Sequence, residues 1–341
     1  MPGLIGSLRR LALTPSLRST GFAARGFPGA TSPAAARLEA IPQTVVCGFE
    51  WGIDARDRWE LERKLELVEV DLRGFAYEGA AMATTVRDAM GRGTRTRDLL
   101  LGGGRPHLLL SYIGIGFAMA RLPRPLWAKV LPDLDELPWH PTAAWLVVDG
   151  YGFDLAYFHT ERWVHRQELP KPYPWLGDSA YFTRAFDQGV GRALWFIHGA
   201  RTADVAAAVA KFPAARHADL WSGVGLAAAF AGGCDDADLV ALRHAAGGHR
   251  AELALGAALA AKARAAAGST PPHTAAATDV LTGVPAAEAA ALVDRTAVHE
   301  RGAADVPPYE LWRARIRAEF AERASSRTDS PGTGGHRAEP E

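Results

Sequence analysis

Two acidic residues stand just ahead of glycines in apolar runs. Glu78 precedes Gly79 in RGFAYEGAAMA (Arg73 to Ala83), and Asp187 precedes Gly189 in FDQGVGRALWFIHG, which continues to Arg192 and His198. Two carboxylates in apolar surroundings can divide acid and base roles once burial separates their pKa values. An arginine among apolar neighbours needs an anion, from the protein or from a substrate, and His198 is a candidate general base. Asp149 and Asp154 follow in VVDGYGFDLAYF. Five residues apart on a helix, they lie on different faces, and Asp154 is the one expected to face the core. Each group has a structural alternative: the acids can cap helices or pair with Arg73, Arg184 or Arg192, and His198 can close a helix end. Beside the glycines, Tyr77, Tyr112, Tyr151, Trp195 and Trp221 offer flat apolar surface to a long unsaturated ligand. Gly79 and Gly189 would let it lie against backbone, although aromatics and glycines there also serve packing.

These residues need rigid elements, and the pattern predicts a mainly α protein. Pro106–Ala120 and Leu220–Cys234 are uncharged runs of 15 residues, shorter than the ~20 apolar residues of a membrane span and expected as buried helices. Asp57–Val70 spaces Trp59, Leu61, Leu65 and Val68 as an amphipathic helix. A helix is expected to start at Thr202, with Thr202 capping and Asp204 on the helix dipole, and others at Ala143–Phe158, Ala251–Ala267, Val284–Val298 and Tyr309–Arg323. Gly268 should cap the third of these as a C-terminal glycine. The tail from Ala324, SSRTDSPGTGGHRAEPE after the alanine, has nothing to bury and is expected to be disordered.

The chain also resembles itself. Gly79 aligns with Gly189 at an offset of 110, GTRTRD at 93–98 with GARTAD at 199–204, His107 with His217, and YIGIGFAMA from Tyr112 with WSGVGLAAA from Trp221. A weaker pairing sets Gly152 against Gly256. The expectation is an internal duplication, two pseudosymmetric halves of glycine-notched apolar helices. It divides the chain into a basic arm and amphipathic helix (1–70), a first half (71–170), a second half (171–270), C-terminal helices (271–323) and the tail (324–341). Glycine within a helix costs about 1 kcal/mol against alanine, so these notches imply close approach of backbones or of a flat ligand.

Composition narrows the function. Lys plus Arg and Asp plus Glu both total 38 in 341 residues, so no charge excess draws nucleic acid. Cys47 and Cys234 belong to no metal-binding or disulfide pattern. GxGxxG, P-loop, HExxH and GxSxG motifs do not occur, and neither cofactor nor metal is expected. Arg9, Arg10, Arg18, Arg25 and Arg37 precede the first acid, Glu39. The stretch reads as a basic arm packed on the fold, with a cleaved leader the lesser reading. A cytoplasmic setting fits best, with peripheral membrane contact through the arm as the variant.

The blocks RGFAYEGAAMA, FDQGVGRALWFIHG and FPAARHADLWSGVGLAAAFAGG resemble the hallmark segments of a bacterial family of unknown function, the UnbL-type proteins. That family is encoded in enediyne biosynthetic clusters beside the iterative enediyne polyketide synthase. The likeness runs from about Arg25 to the helices near Arg295, and the Ala, Gly and Arg bias suits a high-GC actinobacterial gene. The resemblance implies a part in turning a polyketide-derived polyene into a nine- or ten-membered enediyne core. It brings no reaction and no catalytic residue. Two readings follow: a cofactor-independent enzyme, or subunit of one, acting on the polyene, and a non-catalytic accessory protein that binds the synthase or a membrane partner.

Overall fold

Apolar stretches rich in alanine and leucine fold into helices throughout, and no strand forms among the described residues. In this computed structural model residues 20–298 and 306–328 are described; the arm before residue 20 and the tail from 329 lie outside the described residues. Eight helices position the site: α1 (Pro33–Asp54), α2 (Val70–Ala89), α3 (Leu108–Arg121), α4 (Leu146–Phe158), α5 (Phe182–Ile197), α6 (Ala214–Ala231), α7 (Arg250–Ala266) and α8 (Pro308–Thr328). The first seven pack in chain order, each against the one before and the one after.

Glycine spacing explains that order. At 3.6 residues per turn, positions i and i+2 lie about 200° apart, on opposite sides of a helix. In α3, Gly114 meets α2 and Gly116 meets α4; a Cβ on either would overlap a neighbouring carbonyl oxygen, that of Glu78 or of Val147. The same contact recurs helix by helix. Gly150, Gly189, Gly223 and Gly256 meet the carbonyls of Ile113, Asp149, Gln188 and Ser222, in each case the residue just before the corresponding glycine one helix back. Gly48, Gly152, Gly191 and Gly225 meet Ala76, Phe186, Leu220 and Leu253 one helix on. Missing side chains on both flanks let seven backbones touch in series, where dispersion and Cα–H···O contacts replace side-chain packing. Gly150 and Gly256 sit on the flank facing the preceding helix, whereas Gly152 sits on the flank facing the next.

Other expectations are adjusted. Asp57–Val70 is not one helix: Arg58–Leu65 is helical, capped by the Asp57 carboxylate accepting from the Glu60 N–H at 2.8 Å, and α2 begins at Val70. Leu61 and Leu65 are buried, but Trp59 is 67% exposed, because a two-residue step from Leu61 turns it to the opposite side. Arg58 covers its ring at 4.7 Å. Thr202 opens its helix without a capping hydrogen bond, and Asp204 pairs with Arg201 at 2.8 Å. Gly268 does take the left-handed conformation after α7, at φ +74°. α8 continues to Thr328, past the expected start of the tail at Ala324.

α8 docks through a buried ion network. Arg313, with no exposed surface, donates to Asp219 at 2.8 Å and to Glu310 at 2.9 Å, while Arg184 donates to Asp219 at 2.9 Å. Tyr181 donates to Glu310 at 2.7 Å, and Trp312 donates to the Val293 carbonyl at 2.9 Å. Together these set Tyr309 over the inner face of α5.

Candidate functional site

The glycine flanks leave each helix two other sides. Counting from the first glycine, positions −1 and +3 share one side and position +1 the other. Positions −1 and +3 face inward: Glu78 and Met82 on α2, Ile113 and Phe117 on α3, Asp149 and Phe153 on α4, Gln188 and Arg192 on α5. The interior is thus apolar with one polar knot. Arg192 donates from Nε to Asp149 at 2.7 Å, and its guanidinium lies 4.8 Å from the Phe153 ring centre. Gln188 donates to the other Asp149 oxygen at 2.7 Å and contacts the Tyr309 hydroxyl at 3.1 Å. The second guanidinium nitrogen of Arg192, Nη2, is buried without a partner.

Glu78 completes the knot. It is buried, and burial pushes its carboxyl up to about 8; the Arg192 charge opposes that and the Asp149 charge adds to it. No hydrogen bond contributes to the shift. Asp149 is likewise raised by burial, opposed by Arg192 and Gln188. The centre therefore sets the 2.7 Å contact of Arg192 with Asp149 beside a carboxylic acid, Glu78, that holds its proton up to about pH 8. A donor poised near neutrality is suited to general acid catalysis, and the free guanidinium N–H groups are suited to holding a developing anion.

Two internal cavities meet at this knot. One, of about 60 Å³, lies among α1 to α5 and is walled by Phe49, Phe117, Phe153 and Phe158. The other, of about 40 Å³, reaches α6, α7 and α8 and is walled by Ile113, Leu226, Tyr309 and Trp312. Glu78, Arg192, Phe75 and Phe196 border both. Each space exceeds the ~10–15 Å³ needed for a water but falls short of the ~300–1,000 Å³ of ordinary ligand pockets. An extended occupant must therefore displace phenylalanine side chains.

Of the residues singled out in the sequence, Glu78, Arg192 and Asp154 border the first cavity. Asp154 pairs with Arg121 at its edge. Both aspartates of α4 are buried, not only Asp154, because neighbours enclose this helix on every side. Asp187 borders neither cavity: it sits at position −2, where Arg216 grips both its oxygens and also donates to the Gln167 carbonyl at 2.8 Å. Burial raises the Asp187 carboxyl to about 6 despite that pairing. Glu78 and Asp187 thus do not converge. His198 caps α5 away from the cavities, its pKa lowered by burial.

The aromatic candidates sit on other faces. Tyr77 bonds Glu66 at 3.2 Å and stacks on His107; Tyr112 bonds His140 at 2.9 Å; Tyr151 packs on Trp127; and Trp195 donates to the Gly232 carbonyl at 2.9 Å. Trp221, like Tyr77 and Tyr112, occupies position −2 and is absent from both cavity walls. Gly79 and Gly189 are filled by the backbones of Val45 and Asp149 rather than open to a ligand. Reading one residue further, at −1 and +3, would have found Asp149, Phe117 and Phe153. Among the described residues no group of three His, Cys, Asp or Glu could hold a metal, and no single helix is long and apolar enough to cross a membrane.

The Asp187–Arg216 pair carries a structural prediction. Asp187→Asn leaves Arg216 buried without its counter-charge and should cost about 3–5 kcal/mol of stability, measured by urea denaturation. A loss below about 1 kcal/mol would mean that solvent already screens the pair.

No curated protein and no solved structure matches the chain. A family model does, over residues 4–320, which spans all eight helices except the last residues of α8 and includes every residue of the polar knot. The chain belongs to the family described as Protein of unknown function (DUF1702).

Proposed function

We propose that this protein binds a polyketide-derived polyene during enediyne core formation and acts on it by proton transfer from Glu78. The observation that carries the reading is the position of Glu78 and Arg192, a protonated acid and an underused guanidinium, at the junction of two phenylalanine-walled spaces. A flat conjugated chain crossing that junction would lie along Phe117, Phe153 and Phe196, with its middle at the acid. Glu78 gives its proton to one carbon of the chain, which becomes a delocalised cation. Arg192, steadied by Asp149 and the Phe153 ring, holds the negative charge left on the Glu78 carboxylate until that carboxylate takes a proton back from another carbon, so that the double bonds shift with no net oxidation. The polyene and the enediyne pathway come from the resemblance of the sequence blocks, and the chemistry comes from the knot.

The duplicated organisation belongs to the same proposal. Gly79, Gly114 and Gly150 correspond to Gly189, Gly223 and Gly256 three helices on, each meeting the equivalent carbonyl of the preceding helix. This pattern supports a duplicated three-helix unit built on a one-helix repeat, in which the second copy exchanges Glu78 for Gln188.

Co-expression with the synthase tests the reading. The purified protein should carry an extractable polyene, seen as a structured near-ultraviolet band and by mass spectrometry, and Phe153→Ala should lower its occupancy. Protein that is free of polyene, yet is retained by the immobilised synthase, would favour the accessory role instead.

A further inference from the structure

We infer that the cleft between α1, α2, α6 and α7 binds the carboxylate end of an elongated apolar acid, with Arg264 as its anchor and Arg37 beside it. The inference rests on the reading that the interior takes an apolar chain. Arg264 is 4% exposed. Its guanidinium donates to two main-chain carbonyls, of Asp71 at 2.8 Å and Phe230 at 2.9 Å, while its Nε has no partner. No carboxylate forms an ion pair with it among the described residues, unlike the buried Arg192, Arg216 and Arg313. A buried charge without a counter-ion is costly, and an anionic ligand relieves that cost. Burial draws the Arg264 pKa down to about 10, the Arg37 charge adding to that and the Asp71 carboxylate opposing it without forming an ion pair.

The surroundings suit a carboxylate joined to a chain. The cleft has a volume of about 260 Å³, larger than either interior cavity. Arg37 lines it and donates to the Ala231 carbonyl at 2.8 Å and towards His273. Burial, with Arg37 and Arg264 nearby, pushes His273 down to about 4, so it is neutral and leaves both guanidinium charges available. Glu69 and Asp71 also line the cleft, and neither forms an ion pair with these arginines. Their repulsion limits the site to a ligand that also gains apolar contact.

That contact lies at the back of the cleft. Ile41 and Phe75 are shared with the first interior cavity, and Phe75, Phe230 and Ala231 with the second. Phe75 and Phe230 touch edge to face, ring centres 5.2 Å apart. A chain whose carboxylate rests on Arg264 enters the interior by parting these two rings, and its unsaturated part then reaches Glu78.

Fluorescence titration of the full chain with cis-parinaric acid, a conjugated tetraene carboxylate, and with its methyl ester tests the inference. The acid should bind at least about tenfold more tightly than the ester, the factor expected for one charge-assisted contact. Arg264→Met should remove that preference. Arg37→Met, at a side chain that is exposed apart from its bond to the Ala231 carbonyl, should lower acid affinity severalfold and leave the ester unchanged. Phe117→Trp, which fills the interior, should weaken both ligands. Equal binding of acid and ester, with Phe117→Trp weakening both, would overturn the carboxylate site while leaving the interior reading standing. Absence of binding by either would overturn both.

Discussion

Gly189→Ala should lower the stability of the protein by about 3 kcal/mol or more, although alanine is the better helix former. Away from close contacts, replacing a helical glycine with alanine stabilises by up to about 1 kcal/mol. At Gly189 the added Cβ would overlap the Asp149 carbonyl oxygen, which belongs to a helix held on its other flank by α3. Backbone cannot rotate away as a side chain can, so the helices must separate, and overpacking then costs more than propensity returns. Because the contacts run in series, displacing α4 from α5 also disturbs the Asp149 bond to Arg192. Gly248→Ala is the control, since a Cβ there meets nothing within 4 Å; its effect should stay within about 0.5 kcal/mol. Chemical denaturation of both variants measures the difference, and equal stability would mean that the helices are not in backbone contact.

Glu78→Gln should stabilise the protein at alkaline pH and flatten its stability profile. The Glu78 carboxyl titrates at about 8 in the folded chain against an ordinary 4.5. The folded state therefore keeps a proton that the unfolded state releases, and stability falls as pH rises. The contribution is intact below about 4.5 and lost progressively up to about 8, at roughly 1.4 kcal/mol per pH unit, a few kcal/mol in all. Asp187, raised to about 6, and Asp149, also raised, act in the same direction. Glutamine, a neutral isostere of the protonated acid, removes the Glu78 share of that slope. Urea midpoints at pH 6, 7 and 8 should converge at the acid end and diverge at the alkaline end. Parallel profiles for wild type and variant would show Glu78 ionised at an ordinary pH, which would contradict the proposal that it donates a proton.

Helix class and glycine notching were legible in the sequence because both are local. A run such as YIGIGFAMA cannot be solvent-exposed, and paired glycines in it imply contact on two flanks. The direction of each side chain was less legible, since one residue turns a helix by about 100°. Tyr77 and Glu78 are neighbours in the chain, yet the first packs outward on His107 and the second borders both cavities. Asp187 and Gln188 divide in the same way, the acid to Arg216 and the amide to the interior. A helix with one buried face admits only one of Asp149 and Asp154 to the core, whereas α4 has neighbours around it and both are buried. Arg264, in an alanine-rich helix that reads as filler, gave no local sign of its missing counter-ion, because the absence of a carboxylate is a tertiary fact.

The central claim is that Glu78 and Arg192 act on a polyene held at the junction of the two cavities. Deletion of this gene in an enediyne-producing host, complemented with wild type, Glu78→Gln, Arg192→Met or the exposed control Arg166→Met, tests it most directly through the metabolites made. Wild type and Arg166→Met should restore the enediyne. Folded Glu78→Gln should lower its yield by about 100-fold or more, as removal of a general acid does, and Arg192→Met should do likewise, with shunt polyenes accumulating in both. Full restoration by folded Glu78→Gln and Arg192→Met, where the deletion alone makes none, would contradict the claim.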